Sequence, residues 1–405
     1  MPELGRSPLE LDALLEAVEA APPIAAADVV GAILAEALAA EEVSFLIADF
    51  SGRSLVRLGP RQDGASNGAT PEHVAVDGTP HGRALEEQTV VVVAQEWGAA
   101  VYAPVTSRGE AVGVLELRLP YEPDEEACAA VGLAAHALAY VVIANRRYTD
   151  LFEWGRRSIP LSLAAEIQHR LLPGSFTCEG GQFTVAGWLE PAGDVGGDTF
   201  DFSVERDTLH LSMTDAMGHT VDAALLATLA VGALRNARRQ GASLVGQAAQ
   251  ANAAVADHAR SGRFVTGQLV RVDLTTQTAG IVNAGHPPPV RIRDGRAETV
   301  VLDADPPFGT QPIAAQYGVQ VLDLRPGDRF VFLTDGMLER EAAELDLHAV
   351  LAASRDLHAR EAVQHLTREV LGVSGGALRD DATALCLDWH GGPPRDRRSA
   401  AGADF

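Results

Sequence analysis

The alternation of apolar and polar positions divides the chain into a helix-led beginning, a short strand-rich stretch, an apolar helical middle and a longer strand-rich second half. Apolar residues recur at helical spacing over residues 9–20 and 28–40, and Pro22-Pro23 between them breaks what would otherwise be one helix. Short runs of strand type follow at 43–49, 90–93 and 100–105, and residues 113–119 alternate with period two. Between them, residues 59–78, rich in Gly, Asn, Asp and Pro, predict a long loop over a pocket. A helix over about 124–157 closes this part. Its most apolar stretch, 127–144, carries Gly132 and His136 and stops short of the ~20 residues a bilayer span requires, so it predicts a buried or dimer-facing helix, not a membrane span. Residues 148–173 are helical again, interrupted at Pro160, with Leu161, Ala164, Ile167 and Leu171 on one face suited to a helix pair in a parallel dimer.

From Phe183 onward strands dominate, and aspartates stand at their ends. The strand 183–189 leads into Pro191-Ala192-Gly193-Asp194-Val195-Gly196-Gly197-Asp198-Thr199-Phe200-Asp201. The strand 209–214 delivers Asp215-Ala216-Met217-Gly218-His219 and is followed by an apolar core helix, 221–234. The strand 329–334 delivers Asp335-Gly336, and Arg379-Asp380-Asp381-Ala382-Thr383 precedes the strand 384–387. A rigid strand fixes a carboxylate, and a small following residue lets a backbone carbonyl approach an ion, which is what a hard divalent cation requires. Such carboxylates, gathered without cations, would repel one another and take up protons; two divalent cations relieve that cost.

Charge and composition narrow the chemistry. The balance of 32 Lys+Arg against 55 Asp+Glu gives −23, which repels nucleic acid and anionic lipid, so neither is an expected partner. Every one of those basic residues is arginine. A P-loop ATPase, an ordinary protein kinase or a Schiff-base enzyme needs a lysine at its reacting centre, so these classes are excluded. Cys128, Cys178 and Cys386 are scattered without a C-x-x-C pair, which argues against a zinc site or a disulfide framework. Met1-Pro2-Glu3-Leu4 has neither a basic n-region nor an apolar h-region, so no secretory signal is expected and a cytoplasmic protein is. At 405 residues the chain predicts two compact domains.

Two resemblances sharpen this picture. Tyr102-Ala103-Pro104-Val105 followed by Gly109-Glu110-Ala111-Val112-Gly113-Val114-Leu115 resembles a GAF domain, which implies a ligand-sensing sheet with flanking helices over 1–145 or, if degenerate, a dimerisation module. Gly196-Gly197-Asp198-Thr199-Phe200-Asp201, Asp215-Ala216-Met217-Gly218-His219, Asn283-Ala284-Gly285-His286-Pro287, Thr334-Asp335-Gly336 and Asp380-Asp381-Ala382-Thr383 occur in the order found in the stage II sporulation E-type branch of the PP2C-like phosphatases. The helix entry Glu166-Ile167-Gln168-His169-Arg170-Leu171-Leu172-Pro173 is similar to the start of that domain.

Together they imply an α+β chain: a GAF-like α/β sensor domain (1–145), a helical linker (146–173), an αββα double β-sandwich phosphatase domain (174–391) and a disordered tail (392–405). The second resemblance implies two Mn²⁺ or Mg²⁺ ions, water as nucleophile and no covalent phosphoenzyme. Carried onto this sequence, Asp215 bridges both ions, the Ala216 carbonyl completes one, Asp335 and Asp380 bind the other, and Asp198 acts directly or through water. The implied substrate is a protein phosphoserine or phosphothreonine, with a phosphorylated anti-sigma-factor antagonist as the expected partner of a sensor-regulated homodimer.

Other residues have less pointed readings. Asp381 and Asp201 are read as supporting carboxylates or turn residues, and Asn283 and His286 as loop supports or phosphate contacts. His219 is expected to cap a helix and Asp194 to sit in a glycine turn. His73 and His81 are expected to be solvated, and Cys128 to be core. Two other classes remain: a non-catalytic scaffold of the same fold, and a sensor histidine kinase using His169-Arg170, which lacks a glycine-rich ATP lid here.

Overall fold

The computed structural model describes residues 10–58, 72–157, 161–190, 196–218, 221–258, 262–310, 316–338, 345–375, 378, 380–393, 395–399 and 402–404. The chain divides into two compact units, Met1–Pro160 with Ser399–Phe405 and Leu161–Arg398.

The first unit is built on a six-stranded antiparallel sheet of β1 (Glu42–Ala48), β2 (Ser54–Leu58), β3 (His73–Ala75), β4 (Val91–Gln95), β5 (Gly98–Ser107) and β6 (Glu110–Leu119), in the order β3-β2-β1-β6-β5-β4. Period-two alternation sorts its side chains into two cores. Phe45 and Ile47 join α1 (Leu11–Ala20), α2 (Ala26–Leu38) and α4 (Glu125–Asn145), whereas Leu46 joins α3 (Pro80–Glu87). α4 is long and apolar enough to cross a bilayer, but half of its apolar window is buried within the unit.

Several sequence expectations are corrected here. The helix expected over 124–157 ends at Asn145, and the chain resumes as the short α5 (Leu151–Gly155). The reason is packing: Phe152 is buried, and a Cβ on Gly155 would lie 2.7 Å from Leu58 and 2.8 Å from Ile47, so this turn presses against the sheet and does not continue along α4. Part of the expected loop 59–78 is the edge strand β3. His81 is not solvated but buried on α3, edge-on to Tyr102 and 3.5 Å from Glu116. His73 is exposed, as expected, and Cys128 is half-buried.

The second unit contains β7 (Thr177–Glu179), β8 (Phe183–Glu190), β9 (Asp198–Val204), β10 (Thr208–Ala216), β11 (Val265–Asp273), β12 (Thr278–Ala284), β13 (Val290–Arg293), β14 (Arg296–Thr299), β15 (Gln320–Leu322), β16 (Asp328–Leu333) and β17 (Ala382–Trp389). They form a five-stranded sheet, β15-β12-β11-β10-β9, and a six-stranded one, β14-β13-β16-β17-β8-β7. Phe200, Leu211 and Val270 from the first sheet and Val185, Phe330 and Leu385 from the second share one core. On its other face the five-stranded sheet offers Ala216, Leu269 and Val282 to α7 (Val221–Arg239) and α8 (Leu244–His258). The six-stranded sheet is covered by α10 (Ala359–Val373) through Val363, Leu366 and Val370. The layers are helix, sheet, sheet, helix, with α6 (Leu163–Leu171) leading in and α9 (Leu347–Ala353) near β14.

The tail expected to be disordered makes defined contacts where it is described. Arg395 donates to the Gly181 carbonyl at 3.1 Å. Arg397 pairs with Glu179, which is 1% exposed and lies 2.9 Å from His358 Nε2. A buried carboxylate needs its charged partners, and the run Arg395–Arg398 supplies one. Arg397→Ala is expected to cost about 1–3 kcal/mol in urea denaturation, with part of the loss recovered by Glu179→Gln in the same chain.

Candidate metal centre

The inward-facing row of β10, Leu209, Leu211 and Met213, ends at the sheet rim, where the next residue of the same parity is Asp215. Its cross-strand partner on β9 is Asp198, which opens that strand's inward row toward Phe200. Two carboxylates are therefore set side by side by strand register alone. Asp198 is 3% exposed and its Oδ2 accepts hydrogen bonds from the hydroxyls of Thr334 at 2.6 Å and Thr383 at 2.7 Å. Thr334 follows β16 and Thr383 lies on β17, so this carboxylate ties the two sheets together. Burial, then the charges of Asp215 and Asp381, push Asp198 well above the ordinary carboxylate range, against the pull of the two hydroxyls.

Asp215 feels the same crowding. Burial, followed by Asp335, Asp380 and Asp381, raises it to about 7. Asp335 is exposed at the head of a short 3₁₀ turn, Asp335–Met337, and that turn rests on the backbone of the Asp380-Asp381 pair. Asp381 is 1% exposed; its Oδ2 accepts from Gln168 Nε2 at 2.5 Å and from the Gly197 amide at 3.4 Å, and its own amide donates to Asp380 Oδ1 at 2.9 Å. Ala216 donates its amide to the Gly197 carbonyl at 3.2 Å. A Cβ on Gly197 would stand 2.6 Å from the Ala216 carbonyl oxygen, so glycine leaves that oxygen room.

Thus the ends of β9, β10, β16 and β17 gather carboxylates that act on one another as charges. Among the described residues no three His, Cys, Asp or Glu side chains stand close enough together to hold a metal ion as they are placed. The donors are nonetheless of the kind a divalent cation takes: hard oxygens on rigid strand ends, where burial first and the neighbouring carboxylates second raise Asp215 to about 7, a cost a cation would relieve. Asp198 and Asp215, paired across β9 and β10, and Asp335 and Asp380, which act on Asp215 or brace its neighbours, are the candidate donors the strand ends bring together.

Residues 205–390 match the family described as stage II sporulation protein E (SpoIIE). This part of the chain is a SpoIIE-family, PP2C-like domain. The SpoIIE span includes Asp215, Ala216, Asp335 and Asp380, while Asp198 and Gln168 precede it. Similar solved structures include the RsbU and RsbW domains of a Mycobacterium tuberculosis protein (25% identity, TM-score 0.45, covering 52% of this chain and 61% of that one). SpoIIE of Bacillus subtilis, as its PP2C domain with a fragment of its regulatory domain, is 17% identical (TM-score 0.44, 52% and 65%). The SiaA PP2C domain of Pseudomonas aeruginosa is 20% identical (TM-score 0.43, 51% and 84%). The chain spans less than two thirds of the first two of these chains.

Within the SpoIIE-type unit the remaining candidates separate. Asp201 is drawn away from the rim into ion pairs with Arg235 at 2.9 Å and Arg238 at 3.0 Å on α7, so it anchors a helix. Asn283 Oδ1 caps its turn by accepting the His286 amide at 3.0 Å. His286 is buried, its Nδ1 is 2.9 Å from the Thr266 hydroxyl, and burial depresses it to about 3, so it is neutral at physiological pH and supports the loop. His219 and Asp194 lie outside the described residues.

Three residues of the SpoIIE-type site carried no role in the sequence reading: Thr334, Thr383 and Gln168. The threonines had a visible signal, a β-branched hydroxyl next to Asp335 for Thr334 and two residues from Asp381 for Thr383, each at a strand end. Gln168 had none, because its contacts join positions 30 and 213 residues away.

Proposed function

We propose that the second unit is a metal-dependent phosphoserine/phosphothreonine protein phosphatase. The observation that carries the reading is the pairing of Asp198 with Asp215 across β9 and β10, beside the close-packed Asp335 turn and Asp380-Asp381 junction, at the strand ends of a SpoIIE-family domain. Asp215 and the Ala216 carbonyl, Asp335, Asp380 and Asp198 would hold two Mn²⁺ or Mg²⁺ ions. When bound, such a pair lowers the pKa of water and neutralises phosphate oxygens. The protein's own part is to hold these oxygens on rigid strands: Thr334 and Thr383 fix Asp198, and the turn at Asp335 is braced by the backbone of Asp380-Asp381.

In this proposal the substrate is a phosphorylated anti-sigma-factor antagonist in bacterial partner switching, a setting suggested by the resemblance to SpoIIE-type phosphatases. The first unit acts as a GAF-like sensor of a small ligand, in a cytoplasmic homodimer, and governs activity through the helices that lead into the domain. Such regulation is physically accessible, since small displacements of a catalytic group cost large factors in rate.

The test is release of phosphate from p-nitrophenyl phosphate and from a phosphoserine protein, expected with Mn²⁺, abolished by EDTA and restored by excess Mn²⁺. A second reading, a non-catalytic scaffold, draws on the absence, among the described residues, of three His, Cys, Asp or Glu side chains placed to hold a metal ion. Folded protein without turnover in Mn²⁺ or Mg²⁺ would select it.

A further inference from the structure

Gln168 stands out among the buried polar groups of the second unit. It is 0% exposed on α6, and its single side-chain nitrogen donates both to the Asp198 carbonyl at 2.9 Å and to Asp381 Oδ2 at 2.5 Å. Asp198 begins β9 in the five-stranded sheet, and Asp381 immediately precedes β17 in the six-stranded one. One amide therefore spans the seam between the sheets where the carboxylates gather. Asp381 in turn acts electrostatically on both Asp198 and Asp215, so what fixes Asp381 shapes the field at both. The Gln168 Oε1 is buried without a hydrogen-bond partner. A glutamine kept dry with one acceptor unmet is an expensive choice for a helix residue that only fills space.

The α6 helix is itself held at both ends. Ser162 caps it by accepting the Ala165 amide at 3.1 Å, and Arg235 of α7 donates to the Leu171 carbonyl at 2.6 Å. A Cβ on Gly196 would lie 2.9 Å from the Ala164 carbonyl oxygen, so α6 also packs directly on the segment leading into Asp198.

We propose that Gln168 is a positioning residue of the metal centre: through its two hydrogen bonds α6 sets the placement of Asp381 and of the β9 backbone at Asp198, and so the affinity for the divalent cation. The inference rests on the phosphatase reading above. Partners of this kind, which orient ligands without touching the ion, are typically worth about 10–100-fold in metal affinity or activity.

The experiment measures Mn²⁺ binding by titration calorimetry on the full chain, alongside its melting temperature, for wild type, Gln168→Leu, Gln168→Glu, Asp381→Asn and the Gln168→Leu/Asp381→Asn pair. Gln168→Glu preserves shape and replaces the donor by a second carboxylate facing Asp381, and it carries the test if Gln168→Leu does not fold. Expected is a loss of Mn²⁺ affinity of about 10–100-fold in folded Gln168 variants, and a double variant no weaker than the worse single one. Folded Gln168 variants with wild-type Mn²⁺ affinity, or losses that multiply in the double variant, would overturn the role for Gln168. Wild-type protein that binds no Mn²⁺ would bring down the phosphatase reading itself, and this inference with it.

Discussion

Asp215→Asn is expected to fold, to lose Mn²⁺-dependent phosphate release by at least about a thousandfold, and to be more stable than wild type at pH 8 without metal. Both effects follow from one cause. Asp215 lies buried on a strand end, and burial first, then the charges of Asp335, Asp380 and Asp381, raise it from 3.8 to about 7 without metal. A carboxylate whose folded value exceeds its unfolded one adds stability that is fully present below about pH 4 and lost as pH rises through about 7. Asparagine carries no charge to bury or repel, so at pH 8 the variant avoids a penalty of at most about 4 kcal/mol, and near pH 4 the two proteins converge. Excess Mn²⁺ should reverse the order, because wild type gains the binding energy and the variant lacks the central ligand. Thermal melts at pH 4 and pH 8, with and without Mn²⁺, read the stability part, and phosphate release reads the other. Equal pH 8 stability of the metal-free proteins together with retained turnover would sink the assignment of Asp215.

The strand ends bearing these aspartates were legible because two local signals coincide there, an apolar run of strand type and an aspartate followed by Gly, Ala or a second Asp. Asp215-Ala216, Asp335-Gly336 and Asp380-Asp381 are each read from fewer than a dozen consecutive residues, and the αββα layering follows from the family motifs that contain them. What the sequence concealed depends on contacts distant along the chain. Asp201 has the look of a site carboxylate, but the arginines that claim it, Arg235 and Arg238, stand a whole strand and helix later. The break after Asn145 was hidden for a similar reason: helical periodicity persists through 151–155, and only the fit of Phe152 and Gly155 against the sheet redirects the chain. β3 and α3 were missed because a three-residue edge strand and an eight-residue helix are too short to establish a period. The tail was misread because composition alone does not reveal a buried carboxylate, Glu179, that draws Arg397 to it.

The second large effect is expected from a single methyl group, in Gly336→Ala. A Cβ on Gly336 would stand 2.0 Å from the Asp381 carbonyl oxygen, 2.9 Å from its carbon and 3.3 Å from the Asp380 carbonyl oxygen. All three atoms are backbone, so no side-chain rotation relieves the clash; either the turn at Asp335 lifts or the Asp380-Asp381 junction retreats. Overpacking of this kind costs about 1–3 kcal/mol and sometimes more, which urea denaturation measures. The functional loss should be disproportionate, because the displaced elements carry Asp335, Asp380 and Asp381, and a shift of about 1 Å can cost about a hundredfold in rate. Gly232→Ala on α7 is the control: nothing lies within 4 Å of its added Cβ, so it should leave turnover unchanged and stabilise the helix by about 0.5–1 kcal/mol. Wild-type turnover and Mn²⁺ affinity in Gly336→Ala would mean that the Asp335 turn and the Asp380-Asp381 junction do not need their close approach, and a metal centre assembled from both could not survive that result.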